Sequence, residues 1–423
     1  MDLKRELNLL DVFCITTGAV ISAELFILPG IAYAKAGPSV ILSFLIAGIL
    51  ALPAMLSTSE LVSAMPKAGG IYFFTRKSMG YAVGTIAGFA RWFSISLKSA
   101  FALIGIGAYA TLITSIPLTF IAVCCCIIFV FINLIGIKIT GRIQIFLVSG
   151  LLGILILYVL YGLPAVEIER YTPFIPLGIG SVFSTAGFLF ISYGALLGIT
   201  SLAEEVKEPE RNIPLGMFLS LLVVGTLYIL VMFVTVGVLE PSKLQNSLTP
   251  ISNGAGAFMG TFGIVALAIA ALLASISTAN SGITSASRYP IAMSRDRILP
   301  HFFQRVNHRF RTPHFSILFT GGFMILVVVF LKLEMLVKVA STLLIMTYIF
   351  SNLSVIIMRE SKTHDYQPKF CSPLYPWAQI LGTIGLLILI VEMGMIPIIV
   401  STLFIVVAFA WYCFYASSRV NRE

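Results

Sequence analysis

Residues 18–30 read Gly18-Ala-Val-Ile-Ser-Ala-Glu24-Leu-Phe-Ile-Leu-Pro29-Gly30. They lie inside an apolar run over 9–34 that is long enough to cross a bilayer. Small residues, a carboxylate and a Pro-Gly pair interrupt an otherwise lipid-compatible helix. Helices in hydrocarbon satisfy their own backbone, so unwinding is tolerated only where it lines a cavity or is buried in protein. The stretch therefore predicts a discontinuous first span with a ligand site at its break.

The surrounding chain fits that reading. Of its 423 residues, 58% are hydrophobic and only 11% charged. The mean hydropathy is +1.01. Soluble domains carry roughly 25% charged residues, so most of this surface must face lipid. Apolar runs place spans at 9–34, 39–64, 82–113, 118–136, 142–163, 177–203, 213–239, 256–290, 316–332, 334–358, 375–394 and 396–417. The expected fold is an all-α polytopic membrane protein of about twelve transmembrane helices. The third and eighth spans exceed a bilayer's needs and should tilt or extend beyond it. The first run is too long for a signal-peptide core and should remain as a span. No Pro/Ser/Gly-rich linker divides the chain, so one membrane domain is expected over 1–423.

The formal net charge is +9. Its basic residues lie between the apolar runs, which marks topology rather than nucleic-acid binding. With the N-terminus inside, inner segments hold Lys4, Arg5, Lys67, Arg76, Lys77, Lys138, Arg142, Lys207, Arg211, Arg288, Arg295, Arg297, Arg305, Arg309, Arg311, Arg359, Lys362, Lys369, Arg419 and Arg422. Outer segments hold only Lys35, Arg170, Lys243 and Lys332. The bias is about five to one and predicts a multi-pass protein of the cytoplasmic membrane with both termini cytoplasmic. Cys14, Cys124, Cys125, Cys126 and Cys413 sit in apolar runs and read as small hydrophobes. The four histidines, His308 among them, show no metal-ligand spacing. No phosphate-binding Walker loop is present, which leaves ATP-driven pumping unsupported.

The sixth span repeats the first span's irregularity: Gly187-Phe-Leu-Phe-Ile-Ser192-Tyr193-Gly194-Ala195-Leu-Leu-Gly198. Interruptions that open each of two five-helix halves point to an inverted-repeat transporter. Half-helix N-termini offer N–H groups to an anion, and C-termini offer carbonyls to a cation. Ile21, Ser22, Ala23, Glu24, Ser192, Tyr193, Gly194 and Ala195 are the candidate substrate-binding residues. The competing reading is ordinary packing, because Gly and Ser are common at helix contacts.

The first-span motif resembles the G-x-x-I-G-x-G-[IL]-F-x-x-P-G pattern of the amino acid–polyamine–organocation (APC) superfamily of permeases, through Gly18, Ile21, Leu25, Phe26, Pro29 and Gly30. Met65-Pro-Lys-Ala-Gly69-Gly70-Ile-Tyr72, Ala203-Glu204-Glu205-Val-Lys-Glu-Pro209-Glu-Arg211-Asn-Ile-Pro214, Ser287-Arg288, Arg295-Asp296 and Leu299-Pro300 resemble later family segments in order. The resemblance implies the leucine-transporter fold. Repeats would cover 9–163 and 177–358, with two peripheral helices over 375–417. Two departures stand out. Ser22 and Glu24 occupy positions usually held by glycines, whose backbone amides receive the substrate carboxylate in the family. A carboxylate at Glu24 would repel that group.

Helix rise puts Glu24 about 22 Å and Lys98 about 24 Å from the inner ends of their spans. Opposite charges at one depth predict an ion pair; a direct substrate or proton role for either residue is compatible with it. Arg91 lies lower in the third span, within expected reach of the inner water. Glu60, Glu204 and Glu205 fall near inner helix ends and suit interfacial or gating contacts. The eighth span carries Ser275, Ser277, Thr278, Asn280 and Ser281. The resemblance implies a sodium site at Ser277 and Thr278; interhelical hydrogen bonding is the alternative. Lys98 could instead supply the positive charge of a proton-coupled or uncoupled cycle.

The leading expectation is a secondary active transporter that moves amino acids by alternating access. A polyamine or cationic amine exchanger using Glu24 is the second, and a non-transporting membrane sensor the third. No nucleophile–base pair points to an enzyme and no cofactor is implied. The partners expected are a small-molecule substrate and the lipid bilayer, with no oligomeric state specified.

Overall fold

The computed structural model describes residues 5–66, 69–136, 141–307, 310, 312–361 and 366–420, with only the backbone of 141–144. Lys4, Lys67, Lys138, His308, Arg309, Arg311, Lys362, Arg422 and the Arg142 side chain lie outside the described residues. The helices are α1 (Leu9–Val20), α2 (Ala23–Ala36), α3 (Val40–Ala64), α4 (Gly70–Ala110), α5 (Leu118–Ile135), α6 (Gly141–Gly162) and α7 (Ile179–Leu189). They continue as α8 (Pro209–Val238), α9 (Pro241–Gln245), α10 (Pro250–Arg295), α11 (His314–Phe330), α12 (Leu333–Glu360), α13 (Trp377–Glu392) and α14 (Met395–Trp411). Among the described residues, nine helical stretches are long and apolar enough to cross a membrane, and α11 and α13 are shorter apolar helices. The first stretch, Leu9–Ala64, holds two crossings, so twelve result. The fold is the all-α polytopic one expected.

Side-chain partition follows the bilayer. Phe120, Phe131, Phe146, Phe330 and Phe414 face outward from the bundle, where only lipid can cover them. Polar side chains, including Ser22, Glu24, Glu60 and Asn352, are buried inside it.

The first span breaks where the sequence predicts. Asn8 and Asp11 form a reciprocal capping box that starts α1. The helix ends at Ile21 and Ser22, whose ψ angles of 98° and −172° are extended. Two extended residues cannot continue an i→i+4 ladder, so α2 begins anew at Ala23.

The sixth span differs from expectation. Its first half is α-helical as α7, but Phe190–Tyr193 and Leu196–Glu205 are 3-10 segments separated by a turn at Gly194 and Ala195. The interruption is a tightening rather than an extended gap, and it persists to the end of the span. A 3-10 ladder has poorer bond geometry, so its carbonyls need other donors.

Two glycines divide the long helices α4 and α10. Gly80 (φ 83°) and Gly260 (φ 59°) lie in the left-handed region, which a side chain at either position would disfavour. Each divides a short entering helix from a crossing helix within α4 and α10. The crossing parts still run about 45 and 52 Å, beyond the roughly 30 Å hydrocarbon core.

At one end of the bundle, Ser57, Glu60 and Ser63 line one face of α3. Ser57 donates to Asn352 Oδ1 at 2.9 Å. Glu60 accepts from Arg359 Nε (2.7 Å) and Nη2 (2.6 Å), the Tyr366 hydroxyl (2.8 Å) and the Ser372 N–H (2.7 Å). Ser63 accepts the Phe370 N–H at 3.1 Å. Burial and the Glu60 carboxylate push the Tyr366 hydroxyl well above its ordinary pKa. This clamp ties α3 to α12 and the segment before α13, and it gives Glu60 the contacts to a basic partner that its position predicts.

Candidate functional site

Glu24 occupies the first turn of α2, where the helix dipole favours a negative charge. Its side chain is fully buried. One carboxylate oxygen, Oε2, accepts from the Ser22 hydroxyl and lies 3.7 Å from Lys98 Nζ. The other, Oε1, has no hydrogen-bond partner among the described residues. Lys98 enters from α4 and also donates to Ile191 O at 3.3 Å. One ammonium thus touches both interrupted spans, and the depth argument for a Glu24–Lys98 pair holds. Its contacts are long beside the 2.7–2.9 Å of a tight charge-assisted bond.

The loose ends of the two breaks are satisfied by side chains. Val20 O, the last carbonyl of α1, accepts the Tyr228 hydroxyl at 2.8 Å. Phe188 O accepts from Ser341 Oγ at 2.9 Å, and Ser341 Oγ in turn accepts the Ile191 N–H at 3.2 Å. Tyr193 O accepts the Tyr348 hydroxyl at 2.7 Å. Gly194 O accepts from Arg91 Nη1 at 3.1 Å. The side chains that cap these carbonyls come from α4, α8 and α12, so the surrounding scaffold holds the breaks in shape. Free carbonyls in hydrocarbon would each cost several kcal/mol.

The predicted residues therefore divide. Ile21, Ser22, Ala23, Glu24, Lys98 and Ser192 are buried at or beside the breaks, and Ser192 Oγ has no partner among the described residues. The Tyr193 side chain serves packing: its hydroxyl donates to Phe44 O at 3.0 Å and its ring meets Tyr228. Gly194 permits a close contact, because an added Cβ would lie 2.8 Å from Ile191 O and 2.9 Å from Leu344. Ala195 is partly exposed. Arg91 corrects its expectation. It is 2% exposed and faces the sixth-span break rather than the inner water. The signal for it was present: Arg91 and Lys98 are seven residues apart, two turns along one helix face.

Ser277 lines a cavity of about 120 Å³ with Gly18, Ile21 and Ala274, beside the first break. Thr278 is buried and its hydroxyl oxygen has no partner among the described residues. Both residues offer oxygen, as a hard cation requires. The alternative, interhelical bonding, is realised at Asn280, which accepts from Asn133 Nδ2 at 2.7 Å. Among the described residues no group of three His, Cys, Asp or Glu side chains is placed to hold a metal.

Comparison with known proteins bears on the whole chain. It is 26% identical over 443 aligned residues to the branched-chain amino acid permease BcaP of Bacillus subtilis (strain 168), covering 99% of this chain and 95% of the relative. It is 27% identical over 405 residues to the methylthioribose transporter of the same organism, with 90% and 86% covered. It is 29% identical over 385 residues to the vacuolar cationic amino acid transporter 2 of Arabidopsis thaliana, covering 84% of this chain but 60% of that longer relative. The Amino acid permease family matches residues 7–421. With the match running from before α1 to beyond α14, the chain belongs to the amino acid permease family.

Proposed function

We propose that this protein is a secondary active transporter that carries amino acids by alternating access. The observation that carries the reading is the buried Glu24–Lys98 pair between two broken spans. A carboxylate at the end of one interrupted helix and an ammonium that reaches both breaks from α4 complement the opposite charges of a zwitterion. Intramembrane charges that are this buried mark substrate or ion pathways. The names of the relatives, a branched-chain amino acid permease among them, support the same substrate class.

Glu24 Oε1 favours a second reading, in which a cationic amine or basic amino acid places an ammonium there. The relative named as a cationic amino acid transporter agrees with it. The two readings differ in the substrate's net charge and, for an amine, in the absence of a carboxylate.

Several further features belong to this proposal. Repeats over 9–163 and 177–358, with peripheral helices over 375–417, are supported by the paired breaks and by the paired turns at Gly80 and Gly260. Cytoplasmic termini in the cell membrane follow from the basic-residue bias. Coupling runs through sodium at Ser277 and Thr278, or through protons with Lys98 as the fixed cation. The chain carries its cargo unchanged and is not an enzyme.

Net uptake into proteoliposomes, with a competition panel of neutral amino acids, basic amino acids and amines, tests the proposal. Saturable uptake competed by amino acids is expected. Ligand binding without flux would favour a sensor, and competition by amines alone would favour the exchanger.

A further inference from the structure

Arg91 is a buried cation. Among the described residues no carboxylate pairs with it, and its Nε makes no hydrogen bond. Its one bond goes to the neutral Gly194 O at 3.1 Å. Lys98, two turns away on the same face of α4, already has Glu24 as its partner. An unpaired buried charge is retained at a loss in stability unless something else supplies the counter-ion.

We infer that Arg91 receives the carboxylate of the substrate at the Gly194 turn, while Glu24 Oε1 receives its ammonium. The inference rests on the amino acid reading above and gives that substrate an orientation. Arg91 and Lys98 reach the carbonyls of residues 194 and 191, which the Gly194 N–H to Ile191 O bond of 2.9 Å joins in one tight turn, so the two carbonyl positions lie about 6 Å apart. With a hydrogen bond of about 2.8 Å at each end, an α-amino acid bridges groups on the order of 6–9 Å apart. The guanidinium offers a planar fork that matches a carboxylate in two bonds, and its Nε is unused. The substrate carboxylate is kept from the amide end of α2, because the Glu24 carboxylate already occupies that positive helix end. Arg91 is thus a specificity-determining residue, and Lys98 shares Glu24 with the arriving amine.

The rival role is a cap for the Gly194 carbonyl alone. Binding to purified protein separates the two, with leucine against 3-methylbutylamine and arginine against agmatine. In the native chain each amino acid should bind at least tenfold tighter than its decarboxylated partner. Arg91→Gln should bring that ratio near one with amine affinity kept. Arg91→Lys, which keeps the charge but loses the fork, should lower the ratio several-fold and serves if the glutamine variant does not fold. An unchanged ratio in the folded variants, or equal loss of acid and amine, would overturn the inference. Native protein that binds no amino acid would instead defeat the proposed function itself.

Discussion

Lys98 Nζ lies 3.7 Å from Glu24 Oε2 and 3.3 Å from Ile191 O, so a single ammonium joins the first broken span to the sixth. Any movement that separates those spans must release at least one of these contacts. The pair is therefore a structural tie and, in the proposed function, the element that a substrate charge rearranges.

The pair sets a stability prediction. Glu24→Gln or Lys98→Met leaves a buried charge alone and should cost roughly 3–5 kcal/mol. The double variant should lose less than the two single losses together. Thermal unfolding of the three purified variants measures this. Additive losses would show that the two residues do not interact.

The close contact at Gly194 sets another. Gly194→Leu cannot be accommodated without moving Ile191 O or Leu344. Since Ile191 O also seats Lys98, uptake should fall at least tenfold. Overpacking of this kind also costs typically 1–3 kcal/mol, so the melting temperature should drop as well. Wild-type affinity and transport in this variant would place the site elsewhere.

The clamp at Glu60 offers a control remote from the breaks. Glu60→Gln should destabilise by about 3 kcal/mol, at the low end for a buried pair because Arg359 keeps partial access to water. Ligand affinity in protein that remains folded should stay within a few-fold of the native value. A large loss of affinity with unchanged stability would assign Glu60 to the site.

Coupling is read by ion replacement. If Ser277 and Thr278 hold sodium, choline in its place abolishes uptake, and Thr278→Val does the same in sodium. If protons drive transport, an inward pH gradient supports accumulation without sodium. Uptake that ignores both gradients leaves facilitated exchange.

Much of this was legible in the sequence, for physical reasons. Hydrocarbon forces long apolar helices, so the twelve crossings follow from composition. The break at Ile21 and Ser22 was marked by small residues beside a carboxylate. Helix rise alone put Glu24 and Lys98 at one depth. Other features depend on tertiary contacts that no local pattern encodes. The 3-10 segment Phe190–Tyr193 lies where tyrosine, serine and basic side chains from α4 and α12 cap the carbonyls of residues 188, 191, 193 and 194. Tyr193 turns to Phe44 O because α3 packs there. Depth alone points Arg91 to the inner water, whereas its seven-residue spacing from Lys98 puts both on one helix face.

Uptake of radiolabelled amino acids into proteoliposomes, with native protein and folded Glu24→Gln side by side, tests the central claim most directly. The account predicts saturable uptake by the native chain and at least a tenfold loss in the variant. No saturable uptake of any amino acid, or uptake indifferent to Glu24→Gln, would contradict it.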